Sequence, residues 1–529
     1  MTGQGWVSPP PPPPPPPSPP RGTPHRSRLP LLLASIAVAA AGGLAIQLIA
    51  SEDDPTPGGV ASLEPSASPE PIASRTPLPG ESPSVFRTEP NIFDFDNAAF
   101  LSGCGPTKRP RNHVGPLDLS PLDENVAAIA RGVAALRGLD FTRVPRLRLV
   151  SPAGLEAKTT ELYSRELSAD LVEDTEHVLK LLRLMDPGAD LGSLVKKAVT
   201  TEIQAFYLPK NETIFAPATA RNDLSALEEV LLAHELEHAL ADQVLKLPID
   251  DKVDATASDK ELATRALIEG DASLLMQHYA ITVLSPADRN SFLEDAAGLL
   301  ADTDELPYIL ERSIAFPYHE GLLWVCYLYK KGGWTAVDKA YRRPPLSTAQ
   351  ILFPARYEDN TKPLNPRDPP TPPGWEKRST QSFGAADLLM MLEAPQGFLS
   401  TQRPGESVGD VIRWGGGELH VWKRDDSYAL MISLIDDESL TNPMHGFTLC
   451  QELHDWIGMT YYRGTPLVTR TSSLEAHRYR GRLVLLSCED DGVRNAVRLT
   501  IVPDHQTARA LLGKHASALP RRLRAAQDD

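Results

Sequence analysis

Residues 225–245 read SALEEVLLAHELEHALADQVL and carry His234, Glu235 and His238 in the H-E-x-x-H pattern. Histidines four positions apart sit just over one helical turn from each other, so both imidazoles leave one face and can hold one metal ion. Neutral imidazoles suit zinc, which polarises a water; Glu235, beside the first ligand, is placed to take that water's proton as general base. The pattern works only on a helix, and the chain signals one. Ser225 and Glu228 have capping-box spacing, and Pro248 stands just past the end.

A catalytic zinc takes a third protein ligand and keeps one position open. Ser258 and Glu261 repeat the capping-box spacing and open a second helix, DKELATRALIEGDASLLMQHYA. On it Leu262, Arg265, Ala266, Glu269, Ala272, Ser273 and Met276 share a face. Glu269, the acid of that face, follows His238 by 31 residues, enough for a turn and a helix that folds back. Gly270 beside it permits a close helix approach. Asp271 is rotated by about 200°, which leaves it a hydrogen bond behind the ligands or an ordinary surface charge. Ser273, one turn beyond Glu269, is a further candidate to support the ligands. Asp242, one turn past His238, could orient that imidazole or, alternatively, replace Glu269 as third ligand.

HELEH followed by IEGDAS resembles the glutamate-zincin (gluzincin) metallopeptidases, whose third ligand is a glutamate on a later helix. AALRGLDF (134–141), AFYLPKNETIFAP (205–217), HELEHALADQ (234–243) and ALIEGDAS (266–273) resemble, more closely, exported bacterial proteins with a zincin domain. FPYHEGLLWV (316–325), GGWTAVDKAY and PPLSTAQILFPARY (332–357) extend the likeness over roughly residues 120–360. The resemblance implies a zincin-like fold, peptide-bond hydrolysis, zinc on His234, His238 and Glu269, and Glu235 as base. Peptide hydrolysis also develops an oxyanion that a nearby donor stabilises. Tyr318 and His319 of FPYHEG are the candidates, the first also readable as a core aromatic and the second as a surface residue. By analogy of fold, the strand Thr213–Ala216 could line the cleft and pair with an extended substrate; a purely structural strand is the alternative.

The elements around the motif alternate. Asp123–Leu136 carries a helical apolar stripe, Val144–Val150 reads as a strand, and Leu167–Met185 as a helix ended by Pro187-Gly188. Ala205–Leu208 and Thr213–Ala216 flank a Pro209–Glu212 turn, a hairpin. This order predicts an α+β class. Residues 91–359 form the expected zincin-like domain, and residues 360–375 (NTKPLNPRDPPTPPGW) read as a proline-rich linker. Residues 376–529 follow as a smaller α+β domain. In it Tyr428–Ile435, Leu483–Cys488 and Ala496–Val502 look like strands, Val411–Val421 contains Trp414-Gly415-Gly416-Gly417, and the later half of Met444–Ile457 looks like a helix. Gly415–Gly417 has no phosphate-loop context and reads as a turn between strands. Cys450 and Cys488 could pair in an oxidising exterior. Cys326 reads as a buried apolar residue and Cys104 has no evident partner.

The remaining sequence is an address. The chain has 529 residues and 50 prolines, 22 of them in the first 90, where no packed core can form. Pro9–Pro17 favours an extended polyproline helix within a cytoplasmic tail (1–28), a stiff rod that could also dock to a partner's aromatic groove. Leu29–Ala50 is 22 residues without a charge, preceded by Arg21, Arg26 and Arg28 and followed by Glu52, Asp53 and Asp54. That predicts one transmembrane helix with the N-terminus in the cytoplasm; a cleaved signal peptide is the competitor. Ser51–Pro90 reads as a disordered spacer. A net charge of −16 argues against a nucleic-acid surface, and four cysteines exclude a disulfide scaffold. Two functions follow: a membrane-anchored zinc peptidase acting on a peptide or protein outside the cell, or a non-catalytic surface protein with a structural metal.

Overall fold

Val126, Ile129, Ala130 and Val133 recur at helical spacing, and in the computed structural model they are the buried stripe of helix α1 (Glu124–Arg137). Gly138 ends α1 in the left-handed conformation, its N–H returning to the Ala134 carbonyl. The structure describes residues 104–106 and most of 115–519, short stretches such as 250–257, 395–407 and 440–447 excepted. The tail, membrane-span and spacer expectations for residues 1–90 therefore lie outside the described residues. Among the described residues no helix is long and apolar enough to cross a membrane.

The chain is mixed α+β. After α1 come β1 (Arg146–Val150), α2 (Pro152–Glu166), α3 (Ala169–Leu181), α4 (Leu191–Thr201), β2 (Phe206–Leu208) and β3 (Thr213–Pro217). Helix α3 starts where the Ser168 side chain accepts from the Leu171 N–H. It is shorter than Leu167–Met185 because Arg183 turns left-handed just after it, at φ 58°. The strands form a three-stranded sheet in the order β1-β3-β2, with β1 parallel and β2 antiparallel to β3. The expected hairpin is thus present, but Thr213–Ala216 is its central strand. Over Thr213–Phe215 both edges of β3 are already paired, with β1 on one side and β2 on the other, so the expectation of substrate pairing fails for those three residues.

Next come α5 (Ala226–Val244), α6 (Ser258–Thr282), α7 (Pro286–Leu300), α8 (Tyr308–Gly332), α9 (Trp334–Arg342), α10 (Thr348–Leu352) and α11 (Pro354–Glu358). The expected capping box on α5 is complete: Ser225 accepts from the Glu228 N–H, and the Glu228 carboxylate accepts from the Ser225 N–H. The 25-residue helices α6 and α8 pack most intimately where Gly270 faces Gly321. A Cβ on Gly270 would stand 2.3 Å from the Gly321 carbonyl, and one on Gly321 would stand 2.3 Å from the Ala266 oxygen. Only glycine allows that approach.

Residues 376–519 add β4 (Glu376–Ser382), α12 (Ala385–Glu393), β5 (Trp414–Arg424), β6 (Ser427–Asp436), α13 (Leu449–Tyr461), β7 (Leu467–Arg470), β8 (Leu474–Tyr479), β9 (Arg482–Asp490), β10 (Asn495–Val502) and α14 (His505–Leu512). The strands build a seven-stranded antiparallel sheet, β4-β5-β6-β10-β9-β8-β7. Arg480 and Gly481, at φ 45° and 75°, form the two-residue turn between β8 and β9. Period-two alternation splits the sheet's faces. Leu419, Val421, Leu430, Ile432, Leu434, Val484, Leu486, Val497 and Leu499 join one apolar cluster with α6, α8, α12 and α13. Trp422, Met431, Leu483, Leu485 and Val502 face α14 and Trp375.

Two expectations need correcting here. Gly415–Gly417 is not a turn between strands; it opens β5, with a bulge between Trp414 and Gly416. The segment 360–375 lies across that bulge: the Leu364 N–H donates to the Gly415 carbonyl, and a Cβ on Gly416 would meet the Leu364 oxygen at 1.8 Å. The glycines make room for a crossing chain. Second, Cys104 has a partner and Cys326 is not a lone apolar residue, because the two are bridged, as are Cys450 and Cys488. Set 222 positions apart, the first pair leaves no trace in local sequence.

Candidate metal centre

Helix α5 carries His234 and His238 on one face, and α6 brings Glu269 against them. Both imidazoles point Nε2 at the same oxygen, Glu269 Oε2, at 3.2 Å each. All three side chains are buried, and their donor atoms lie within 4.8 Å of one another. Ligand atoms about 2.0–2.1 Å from a tetrahedral ion stand about 3.3 Å apart, so the spacing and the two-nitrogen, one-oxygen donor set fit a zinc-type cation. These three residues can hold a metal ion.

The electrostatics follow from burial. Burial alone would push the His238 imidazole down, but the Glu269 carboxylate raises it to about 9. Burial likewise opposes ionisation of Glu269, and the two histidines reverse this and hold it at about 2. Glu235 is also buried, and burial pushes it upward against the pull of His238, His234 and the Tyr207 backbone. Its Oε2 makes no hydrogen bond, so a carboxylate able to accept a proton stands next to the ligand cluster.

Tyr318 is the second group brought to the cluster. Its ring lies against Leu231, one turn before His234, and 6.1 Å between centroids from the His234 ring. Burial first, then the charges of Glu269 and Glu235, push its phenol well above the usual range, so it keeps its proton and can donate it in a hydrogen bond. Both readings of Tyr318 therefore hold at once: the ring is core and the hydroxyl is polar site. The Gly270–Gly321 contact explains its position, since Tyr318 and Glu269 lie on the two helices at their closest approach.

His319 does not join the cluster. It is buried, not a surface residue, and Nδ1 faces Glu320 at 3.3 Å. Glu320 pairs with Arg312, whose Nε also reaches Glu393 at 3.1 Å. Asp242 orients no ligand histidine either: its Oδ2 accepts from the Tyr207 hydroxyl at 2.6 Å. It fixes edge strand β2 to the site helix instead. Ser273 is buried, and its hydroxyl makes no hydrogen bond. Asp271 does lie behind the ligands, buried and bound to Arg137 and the Tyr341 hydroxyl.

Sequence reasoning missed that last arrangement. Arg137, fully buried at the end of α1, donates to Glu237 at 3.1 Å and to Asp271 at 3.0 Å, and pairs with Asp338 at 2.8 Å. Its guanidinium lies 4.5 Å from the centre of the Trp334 ring. Glu237 belongs to the HELEH run itself and Asp271 follows Glu269 by two, so one cation ties together the back faces of the two ligand helices. The available signal was a pair of acids, one on each helix, each turned away from the metal side. Their shared cation lies 100 residues upstream of Glu237 and was not identifiable.

No family model, curated protein or solved structure matches this chain.

Proposed function

We propose that this chain is a zinc-dependent peptidase of the zincin, glutamate-liganded type, anchored in the cell membrane by residues 29–50 and hydrolysing a peptide or protein substrate outside the cytoplasm. The observation that carries the reading is the convergence of His234, His238 and Glu269 with two further groups, a proton acceptor and a proton donor, on the same spot. A structural site would be closed by a fourth protein ligand; among the described residues the group consists of three. The resemblance of HELEH and IEGDAS to the gluzincins supports the same reading, as does the pairing of all four cysteines, which suits an oxidising exterior.

When bound, zinc supplies Lewis-acid polarisation and makes a water a better nucleophile near neutral pH. The chain's own residues do the rest. Glu235 accepts the proton of the attacking water and delivers it to the leaving amine. The Tyr318 hydroxyl donates to the oxygen on which negative charge develops, and burial keeps both interactions strong. The Arg137–Glu237–Asp271 cluster holds the two ligand helices in register from behind. A peptide library incubated with the purified chain and read by mass spectrometry tests the proposal. Cleavage should stop on adding a chelator and return with zinc; cleavage indifferent to both would contradict it.

A further inference from the structure

Strand β5, beneath the segment 360–375, carries a second convergence of ligand-type residues. Glu418 and His420, two apart, share one face of β5, and Asp368 descends on them from the crossing segment. One donor atom from each lies within 4.8 Å of the others. His420 Nε2 is 3.3 Å from Glu418 Oε2, and His420 Nδ1 is 3.8 Å from Asp368 Oδ1. Glu418 is partly exposed and Asp368 exposed, so the group opens to solvent on one side.

The histidine makes this more than an acidic patch. His420 is completely buried, yet its Nε2 makes no hydrogen bond. Its other nitrogen is engaged: Nδ1 lies 3.2 Å from the hydroxyl of Thr380, directly opposite on β4. If Nδ1 carries the proton and donates it to Thr380, Nε2 presents a bare lone pair to the Glu418 carboxylate, an arrangement that a cation between them satisfies, with Asp368, on the Nδ1 side, completing the group from solvent. A hydrogen bond to one imidazole nitrogen that frees the other is how metal-ligating histidines are held. The opposing feature is Lys377, whose ammonium lies 3.2 Å from Asp368 Oδ1 and neutralises part of the charge a cation would meet.

We propose that His420, Glu418 and Asp368 form a second divalent-cation site, separate from the first, with an imidazole among its ligands that selects zinc over calcium or magnesium. One nitrogen and two carboxylates suit a first-row metal of that kind. The exposed third ligand and Lys377 make it an exchangeable site. It clamps the crossing segment to the sheet, since Asp368 belongs to the one and His420 to the other.

Zinc content of the full chain after equilibrium dialysis tests this, compared with a His234→Gln/His238→Gln variant that disables the first centre. The wild type should hold about two zinc ions per chain and the double variant about one, which Glu418→Gln added to it should remove. One zinc in the wild type and none in the double variant would overturn the second site. One zinc in each would leave the second site standing and remove the first, so the two failures are distinguishable. Because changes at buried positions can compromise folding, Asp368→Asn, at an exposed side chain, gives an independent readout. In the double variant zinc should raise the unfolding temperature, and Asp368→Asn should lessen the rise; an undiminished rise would overturn the three-residue assignment. Lys377→Gln should tighten zinc binding in the same background, and unchanged or weaker binding would overturn the role of Asp368.

Discussion

At the scale of single residues the site divides by exposure to inference. His234, Glu235 and His238 are legible because the helix period alone places them. Glu269 is legible because the second helix declares its own start and its own face. Tyr318 is legible as a candidate only, and the structure separates it from its neighbour: the tyrosine reaches the ligand cluster while His319 turns to Glu320. Adjacent helical residues point about 100° apart, so one of the two had to face elsewhere. Tyr318→Phe should lower kcat by about 10²–10³-fold, as removal of an oxyanion donor does, with KM and bound zinc nearly unchanged. Steady-state kinetics alongside metal analysis checks this; a rise in KM alone would make Tyr318 a packing residue. Arg137 was not legible, because the acids it joins come from two helices and lie 100 and 134 positions away.

At the scale of elements, the contact that matters most is α6 on α8. Gly270 was readable as a place of close approach, but its counterpart Gly321 lies on a helix whose partner the sequence does not state. Gly270→Ala would drive a methyl into the Gly321 carbonyl. It should cost about 1–3 kcal/mol or more and shift Glu269 from the histidines, weakening zinc binding as well as stability. Denaturant unfolding and zinc titration of the same variant measure both effects, and a fully stable variant with normal zinc affinity would contradict the packing account. The sheet of residues 376–502 was only partly legible. Strands β6, β9 and β10 are apolar enough to announce themselves, whereas the Gly415–Gly417 run at its start hides β5. Strand β4 (EKRSTQS) has no apolar residue, and β7 is only four residues long. Both are sheet edges, where hydrogen bonding to one neighbour suffices and composition carries little signal.

At the scale of the whole molecule, charge buried among helices sets the response to acid. Burial opposes ionisation of Glu320, but Arg312 and His319 outweigh it and hold the carboxyl at about 2, below its ordinary 4.5. A carboxyl depressed by folding stabilises the protein above its unfolded pKa, and that contribution is lost as pH falls through the folded one. Stability should therefore decline between about pH 4.5 and 2, and Glu320→Gln should flatten the decline while costing about 3–5 kcal/mol near neutrality. Urea midpoints across that range for the two proteins decide it; equal slopes would remove Glu320 from the account. The Cys104–Cys326 bridge works at the same scale, tying the start of the described chain to the C-terminal half of α8.

The proposed activity rests on one carboxylate acting beside a metal it does not bind. Glu235→Gln keeps the size and burial of that side chain and removes its basicity. Hydrolysis of a peptide cleaved by the wild type, measured together with zinc content, tests the account most directly. It predicts full zinc occupancy of the first centre and no detectable hydrolysis; hydrolysis at the wild-type rate by the zinc-loaded variant would contradict it.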